Sequence, residues 1–126
     1  MNKMHNTGVA TKVAQASDGI EVPTNARWLS TSGTSGIRPD GTLPETIEEQ
    51  VEQVWRNIQT ILAPADMEVT DIVKITFYLT RRENYSVCLA SRDRFLGDAR
   101  PAAMSSIVSG LIRPDFLVEA EVQAAK

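Results

Sequence analysis

The sequence predicts an α+β fold in which two helices cover one face of a mixed β-sheet. Three segments lead to this prediction: an apolar stripe of helical period over residues 47–63, an alternating segment over 71–80, and a second alternating segment over 116–124. Weaker signals between them give a sheet of about six strands and the element order β-β-α-β-α-β-β. At 126 residues, the sequence is expected to form a single domain over 1–126.

The first helix is predicted by its periodicity and by its two ends. Thr46 and Glu49 have the spacing of a capping box, in which two side chains satisfy free backbone N–H groups. Pro64 ends the helix, because proline disfavours helical geometry in the residue before it. The apolar residues recur at steps of four and three, and they are Ile47, Val51, Val54, Ile58 and Ile61. Trp55 adjoins this stripe and is expected to pack in the core.

A second helix is predicted between Asn84, a candidate cap, and Gly97, a terminator. Helical spacing relates Tyr85, Cys88, Leu89, Arg92, Phe95 and Leu96. Because Cys88 falls within this mostly apolar series, it is expected to pack as a small hydrophobic residue rather than to act as a nucleophile.

The strands are predicted from alternation and from turn residues. Residues 9–22 give a weak strand region, 28–33 a strand ending on glycine, 33–41 a loop, and 102–109 a strand after Pro101. Within 71–80, one face carries Val73, Ile75, Phe77 and Leu79, and the other carries Ile72, Lys74, Thr76 and Tyr78. This second face mixes polar and apolar side chains with no helix left to cover it. Contact with another subunit is therefore expected.

Composition argues against several classes of protein. Thirteen Lys and Arg against sixteen Asp and Glu give a net charge of −3, which does not favour a nucleic-acid partner. No nucleotide-binding loop is present, and a single cysteine and a single histidine, His5, provide neither a disulfide nor a metal site. His5 is expected to be solvated. No apolar run approaches ~20 residues and no secretory signal is visible. A cytoplasmic protein without cofactor, metal or membrane association is expected.

Two groups of charged residues have alternative interpretations. Glu119 and Glu121 share one strand face, ~7 Å apart along the strand. They are either solvated or interface-paired carboxylates, or else one of them is desolvated at an interface, has a raised pKa and positions a water molecule. Arg81 and Arg82 form either a solvated loop or an anion contact.

Several segments, taken in order, resemble the YjgF/RidA family of imine and enamine deaminases. They are Ser32-Gly33 at a strand end, Gln50 and Asn57 in the first helix, Asp71-Ile72-Val73-Lys74, Arg100-Pro101-Ala102, and Leu117-Val118-Glu119-Ala120-Glu121. The resemblance covers about residues 28–125. It implies a chorismate-mutase-like sandwich and a homotrimer with ligand clefts between neighbouring subunits.

The resemblance also implies a chemistry, since the deaminase members hydrolyse 2-imino or 2-enamino acids to 2-oxo acids and ammonia. Glu119 matches the glutamate that positions water, and Ser32, Gly33 and Ser105 match positions near the substrate. The family's carboxylate-binding arginine falls on Ala103, so we expect little or no activity on small 2-imino acids. The prediction is a small-molecule hydrolase or deaminase acting on an imine, enamine or related metabolite at a subunit-interface cleft. The alternative is a non-catalytic trimeric module that binds a small metabolite.

Overall fold

The computed structural model describes residues 1–126 and contains two helices and six strands, which confirms the predicted α+β fold. The strands form two sheets: a two-stranded antiparallel sheet and a four-stranded mixed sheet. In chain order, the elements are β1 Lys3–His5, β2 Gly19–Glu21, β3 Trp28–Ser30, α1 Ile47–Leu62, β4 Ile72–Leu79, α2 Tyr85–Leu96, β5 Ala102–Ile107 and β6 Val118–Ala125.

The four-stranded sheet has the strand order β3-β6-β4-β5. Strand β6 is antiparallel to both β3 and β4, whereas β4 and β5 are parallel. A parallel pair needs a long crossover connection, and α2 provides it here. The predicted mixed sheet is thus present, with β5 at one edge.

Helix α1 begins at its predicted cap and buries the predicted stripe except for Ile61, which is 40% exposed, while Leu62 is buried. Thr46 Oγ1 accepts a hydrogen bond from the Glu49 backbone N–H at 3.2 Å. Trp55 is fully buried, and the centroid of its ring lies 5.5 Å from that of Phe95 and 5.8 Å from that of Phe77. These three aromatic rings join α1, α2 and β4 into one apolar core.

Three further details of the sequence prediction are wrong. The weak strand region expected over 9–22 is a 3₁₀ turn at Ala10–Lys12 followed by the short strand β2. Ile72 was expected on the outer sheet face, but it lies in the core because a β-bulge between Ile72 and Lys74 interrupts the alternation of side chains. Asn84 precedes α2 but makes no side-chain capping hydrogen bond.

Neither helix is long and apolar enough to cross a membrane. No three side chains among His, Cys, Asp and Glu are grouped so that they could hold a metal ion. Two other features are of functional interest: the loop beside β6 and a cavity beside β5.

Candidate functional site

The loop that follows β3 stays beside β6 but leaves the hydrogen-bond ladder for two residues. Thr31 N–H donates to Val122 O at 3.0 Å, and Thr34 exchanges two backbone hydrogen bonds with Ala120 at 2.7 and 3.0 Å. Between these anchors, the N–H groups of Ser32 and Gly33 donate to no backbone carbonyl. Both residues are exposed, so two backbone donors are available to a ligand.

Glu119 lies against this loop. A Cβ added at Gly33 would be 3.7 Å from Glu119 Oε1, so the glycine backbone closely approaches the carboxylate. Glu119 is half-buried, and burial raises the pKa of its carboxyl above the usual value. The second carboxylate of this face behaves differently: Glu121 is exposed and accepts a hydrogen bond from the Tyr78 hydroxyl at 3.0 Å, which raises the pKa of Tyr78. Of the two carboxylates, Glu119 is therefore the less solvated one and the one that contacts the loop.

Gln50 of α1 fixes the segment that leads into β6. Its amide nitrogen donates to Pro44 O at 2.9 Å and to Asp115 O at 3.0 Å, while its amide oxygen accepts from Leu117 N–H at 2.9 Å. The side chain is buried, so all three bonds are made away from water. This contact fixes the segment that leads into β6 against α1.

Asn57 fixes the glycine-containing loop from the same helix. Its side-chain nitrogen donates to Ser35 O at 2.9 Å and to Ile37 O at 2.8 Å. Between these two residues, Gly36 is buried and packs so closely that an added Cβ would lie 2.6 Å from the backbone oxygen of Gln50. Gln50 and Asn57, two residues that carry the family resemblance, thus fix the segment before β6 and the glycine-containing loop, respectively.

The Gly36→Ala substitution is expected to lower the free energy of unfolding by about 1–3 kcal/mol, because the new methyl group requires the loop and α1 to separate. Urea titration of both proteins measures the effect. Gly110→Ala is the matched control, since an added Cβ at Gly110 would meet no atom within 4 Å. Equal unfolding midpoints for the two variants would contradict the close packing of this loop.

A cavity of about 630 Å³ lies at the β5 edge of the sheet, between α2, β5 and the N-terminal segment. Ala103 and Ser105 of β5 contribute to its wall, together with two arginines, Arg82 and Arg92. The remaining lining is apolar: Val9, Ala10, Val13, Ala14, Ala16, Tyr85, Met104 and Ile107. No acidic side chain lines the cavity, so its charge is positive.

Arg92 is the unusual member of this lining. Its side chain is only 3% exposed, and its Nε and Nη2 atoms are buried without a hydrogen-bond partner. The nearest carboxylate oxygen, Oδ1 of Asp93, is 3.9 Å from Nε and therefore too far for a hydrogen bond. A charged guanidinium is thus held beside the cavity with its bonding capacity unused.

Asp18 holds the N-terminal segment that closes one side of the cavity. Its carboxylate accepts hydrogen bonds from the backbone N–H groups of Thr7 at 2.5 Å, Gly8 at 3.1 Å and Ala10 at 2.7 Å, and from the Thr7 hydroxyl at 2.9 Å. These donors lower the pKa of Asp18 to about 2. Val9 and Val13, which line the cavity, belong to the segment that Asp18 fixes.

The N-terminal segment is expected to loosen in acid. A depressed carboxyl pKa contributes stability that is complete above the unfolded value near 3.8 and is lost as the pH falls through about 2. The Thr7, Gly8 and Ala10 amides should therefore lose protection from hydrogen exchange between about pH 4 and pH 2. Asp18→Asn should produce the same loss at pH 7. Unchanged protection in that variant would show that other contacts hold the segment.

The site residues expected from the sequence fall into two groups within one chain. Ser32, Gly33 and Glu119 lie together at the outer face of β6. Ala103 and Ser105 pair with Ile75 and Phe77 on the helix-covered face of β5, two strands away. Neighbouring strands are ~4.8 Å apart, so the two groups are about 10 Å apart across the sheet and on opposite faces.

Other side chains considered in the sequence have simple structural roles. Cys88 is buried, and burial raises the pKa of its thiol to about 12, in agreement with a packing role. His5 is exposed as predicted, and it lies in β1 with a 2.6 Å contact to Glu21. Sequence reasoning gave Arg92 no function, although its helical spacing with Cys88 and Leu96 placed a charge within an apolar series.

A family model described as Endoribonuclease L-PSP matches residues 10–126. The chain belongs to the YjgF/RidA family. Among curated YjgF/RidA relatives, it is similar to a RutC family protein of Pyrococcus abyssi, with 34% identity over 80 residues. That alignment covers 64% of this chain and 62% of the relative, so it spans less than two thirds of the relative's length.

Solved structures of the YjgF/RidA family superpose over nearly the whole chain. YyfB of the Rid family from Yersinia pestis gives a TM-score of 0.87 at 26% identity, covering 99% of this chain and 98% of that protein. RidA from an Antarctic Psychrobacter gives 0.74 at 27% identity, covering 89% of each chain. The YjgF gene product of E. coli gives 0.75 at 24% identity and 90% coverage of each chain, a likeness of fold alone. The chorismate-mutase-like fold implied by the resemblance is thereby confirmed.

Proposed function

We propose that this chain is a RidA-like hydrolase or deaminase that acts on an imine, enamine or related metabolite. The observation that carries the proposal is the half-buried Glu119 carboxylate beside the two unengaged N–H groups of Ser32 and Gly33. This combination offers a proton acceptor for water and donors for a substrate oxygen in one place.

The reaction needs few protein groups, because an imine carbon is already electrophilic. Glu119 accepts a proton from water while the water oxygen bonds to the imine carbon, and it then gives this proton to the imine nitrogen. In the resulting carbinolamine, Glu119 transfers the hydroxyl proton to the nitrogen, so that the C–N bond breaks, ammonia leaves and a carbonyl group remains. Burial raises the pKa of the Glu119 carboxyl, which makes its ionised form a stronger base.

A second subunit is part of the proposal. Glu119 with Gly33 and the Ala103–Ser105 wall lie on opposite faces of one sheet, so one chain cannot place them around a single small molecule. A homotrimer in which the Glu119 face of one subunit meets the β5 edge of the next would bring them together. Val13 and Met104, which are 76% and 56% exposed beside the cavity, support this edge as a contact surface.

Assaying ammonia release from a panel of imines, enamines and amino-muconate-type compounds tests the proposed activity. We expect turnover of at least one compound with an apolar substituent, and little acceleration with the small imine derived from serine. Absence of turnover across the panel, with a compound nevertheless bound, would favour the alternative of a non-catalytic binding module. That alternative is supported by Ala103 at the position of the family's carboxylate-binding arginine.

Light scattering tests the homotrimer separately. We expect three chain masses at micromolar concentration, because the β5 edge and the outer face of β6 carry complementary parts of the site. A stable monomer at that concentration would contradict both the trimer and the intersubunit site.

A further inference from the structure

We propose that Arg92 replaces the missing arginine of β5 and binds the carboxylate of a substrate that also carries an apolar group. The inference deepens the proposed function and rests on it for the reaction, although carboxylate binding itself can be tested alone.

The guanidinium of Arg92 lacks the partner that a buried charge requires. Arginine remains protonated in proteins, and a buried ion without hydrogen bonds is strongly unfavourable. The Nε and Nη2 atoms, which share one edge of the guanidinium, have no partner in the chain and are closed to solvent, so a carboxylate reaches them only when the side chain turns toward the cavity. A carboxylate matches that edge with two oxygens, in the bidentate arrangement that arginine favours. The missing partner is therefore best supplied by a ligand anion.

The cavity around Arg92 determines the rest of the ligand. It contains Arg82 as a second cation, Ser105 as a hydroxyl and no carboxylate that would compete for Arg92. Nine of its twelve lining residues are hydrophobic. Polar ligand groups other than the carboxylate would meet few partners there, so the cavity favours an aliphatic or aromatic substituent.

The small side chain of Ala103 in β5 allows Arg92 of α2 to supply the positive charge of the cavity. Ala103 and Arg92 both line the cavity, so a positive charge in either position would serve the same space. The short Ala103 side chain leaves that space open, while Arg92 reaches it from α2. The chain thus retains a carboxylate anchor although it lacks the family's arginine in β5.

Binding of 4-phenylbutanoate, followed by NMR titration of the unaltered protein, tests the inference directly. We expect 4-phenylbutanoate to bind roughly ten- to 150-fold more tightly than 4-phenylbutanamide. This ratio of affinities is the one expected when the neutral amide cannot form the charge-assisted hydrogen bonds of the carboxylate. Equal affinities, or no binding of either compound, would overturn the proposal. This comparison involves no substitution, so it does not depend on whether a variant folds.

Substitution of Arg92 identifies the residue responsible. Arg92→Met should weaken 4-phenylbutanoate binding by the same roughly ten- to 150-fold, with little effect on the amide, and Arg92→Lys should retain part of the preference. Arg94→Met is the matched control, because Arg94 lies on the same helix but is exposed and does not line the cavity. Retention of the preference in Arg92→Met, or its loss in Arg94→Met, would overturn the assignment.

The two proposals can fail independently. If 4-phenylbutanoate binds through Arg92 but no imine releases ammonia, the proposed hydrolase is wrong and the anion site stands. If apolar imino acids are hydrolysed equally well by Arg92→Met and by the unaltered protein, the anion site is wrong and the hydrolase stands.

Discussion

Replacing Glu119 by glutamine is expected to reduce turnover of the substrate found in the ammonia-release assay by about 10²–10⁴-fold, the usual contribution of a general base. Glutamine has nearly the shape of glutamate but almost no basicity. The substitution also removes a carboxylate that is unfavourable to ionise where it is, so the protein should remain folded. Steady-state rates and an unfolding curve for the same sample separate lost chemistry from lost structure.

Glu121→Gln provides the matched control on the same strand face. Glu121 is exposed and bonded to the Tyr78 hydroxyl, so its loss should change turnover only slightly. The pH profile gives an independent check: turnover should fall on acidification through a pKa above that of an ordinary glutamate, because only ionised Glu119 can accept a proton. Activity lost in Glu121→Gln but retained in Glu119→Gln would move the site by two residues along β6.

Trp55→Ala is expected to lower the free energy of unfolding by about 3–5 kcal/mol, a large part of the ~5–15 kcal/mol typical of a folded protein. Trp55 is completely buried between Phe77 and Phe95, and its removal leaves a cavity where α1, α2 and β4 meet. Its indole nitrogen has no hydrogen-bond partner, so the effect arises from packing alone. Urea-induced unfolding measures it.

The other tryptophan serves as the control for that experiment. Trp28 is 57% exposed in the edge strand β3, and Trp28→Ala should change the free energy of unfolding by about 0.5 kcal/mol or less. A smaller loss in Trp55→Ala than in Trp28→Ala would contradict the position of Trp55 in the core.

The fold was predictable where local pattern and long-range packing agree. Thr46 marks the start of α1 through a hydrogen bond with a residue three positions later, and the stripe that includes Val54 and Ile58 is the surface that α1 buries. In β4, Phe77 and Leu79 face the core as their alternation predicts. Such signals depend on neighbouring residues in the sequence, so one sequence is enough to recognise them.

Other features depend on contacts between distant residues. The bulge that moves Ile72 into the core arises from the pairing of β4 with β6. The residues near Ile72 in the sequence do not predict this bulge. The burial of Arg92 could not be predicted either, because a charge at helical spacing with Cys88 is compatible with either a solvated or a buried side chain. The separation of Glu119 from Ser105 depends on strand order, which residue patterns within each strand do not specify.

The position of β6 between β3 and β4 also has a consequence for folding during synthesis. Growing from its N-terminus, the chain makes β3, both helices, β4 and β5 before the strand that joins β3 to β4. Until β6 is made, the core beside β4 lacks the apolar side chains of β6, and one edge of β4 has no hydrogen-bonded neighbour. Such intermediates are prone to aggregation. Nascent chains that already contain both helices but lack β6 should therefore depend most on chaperones.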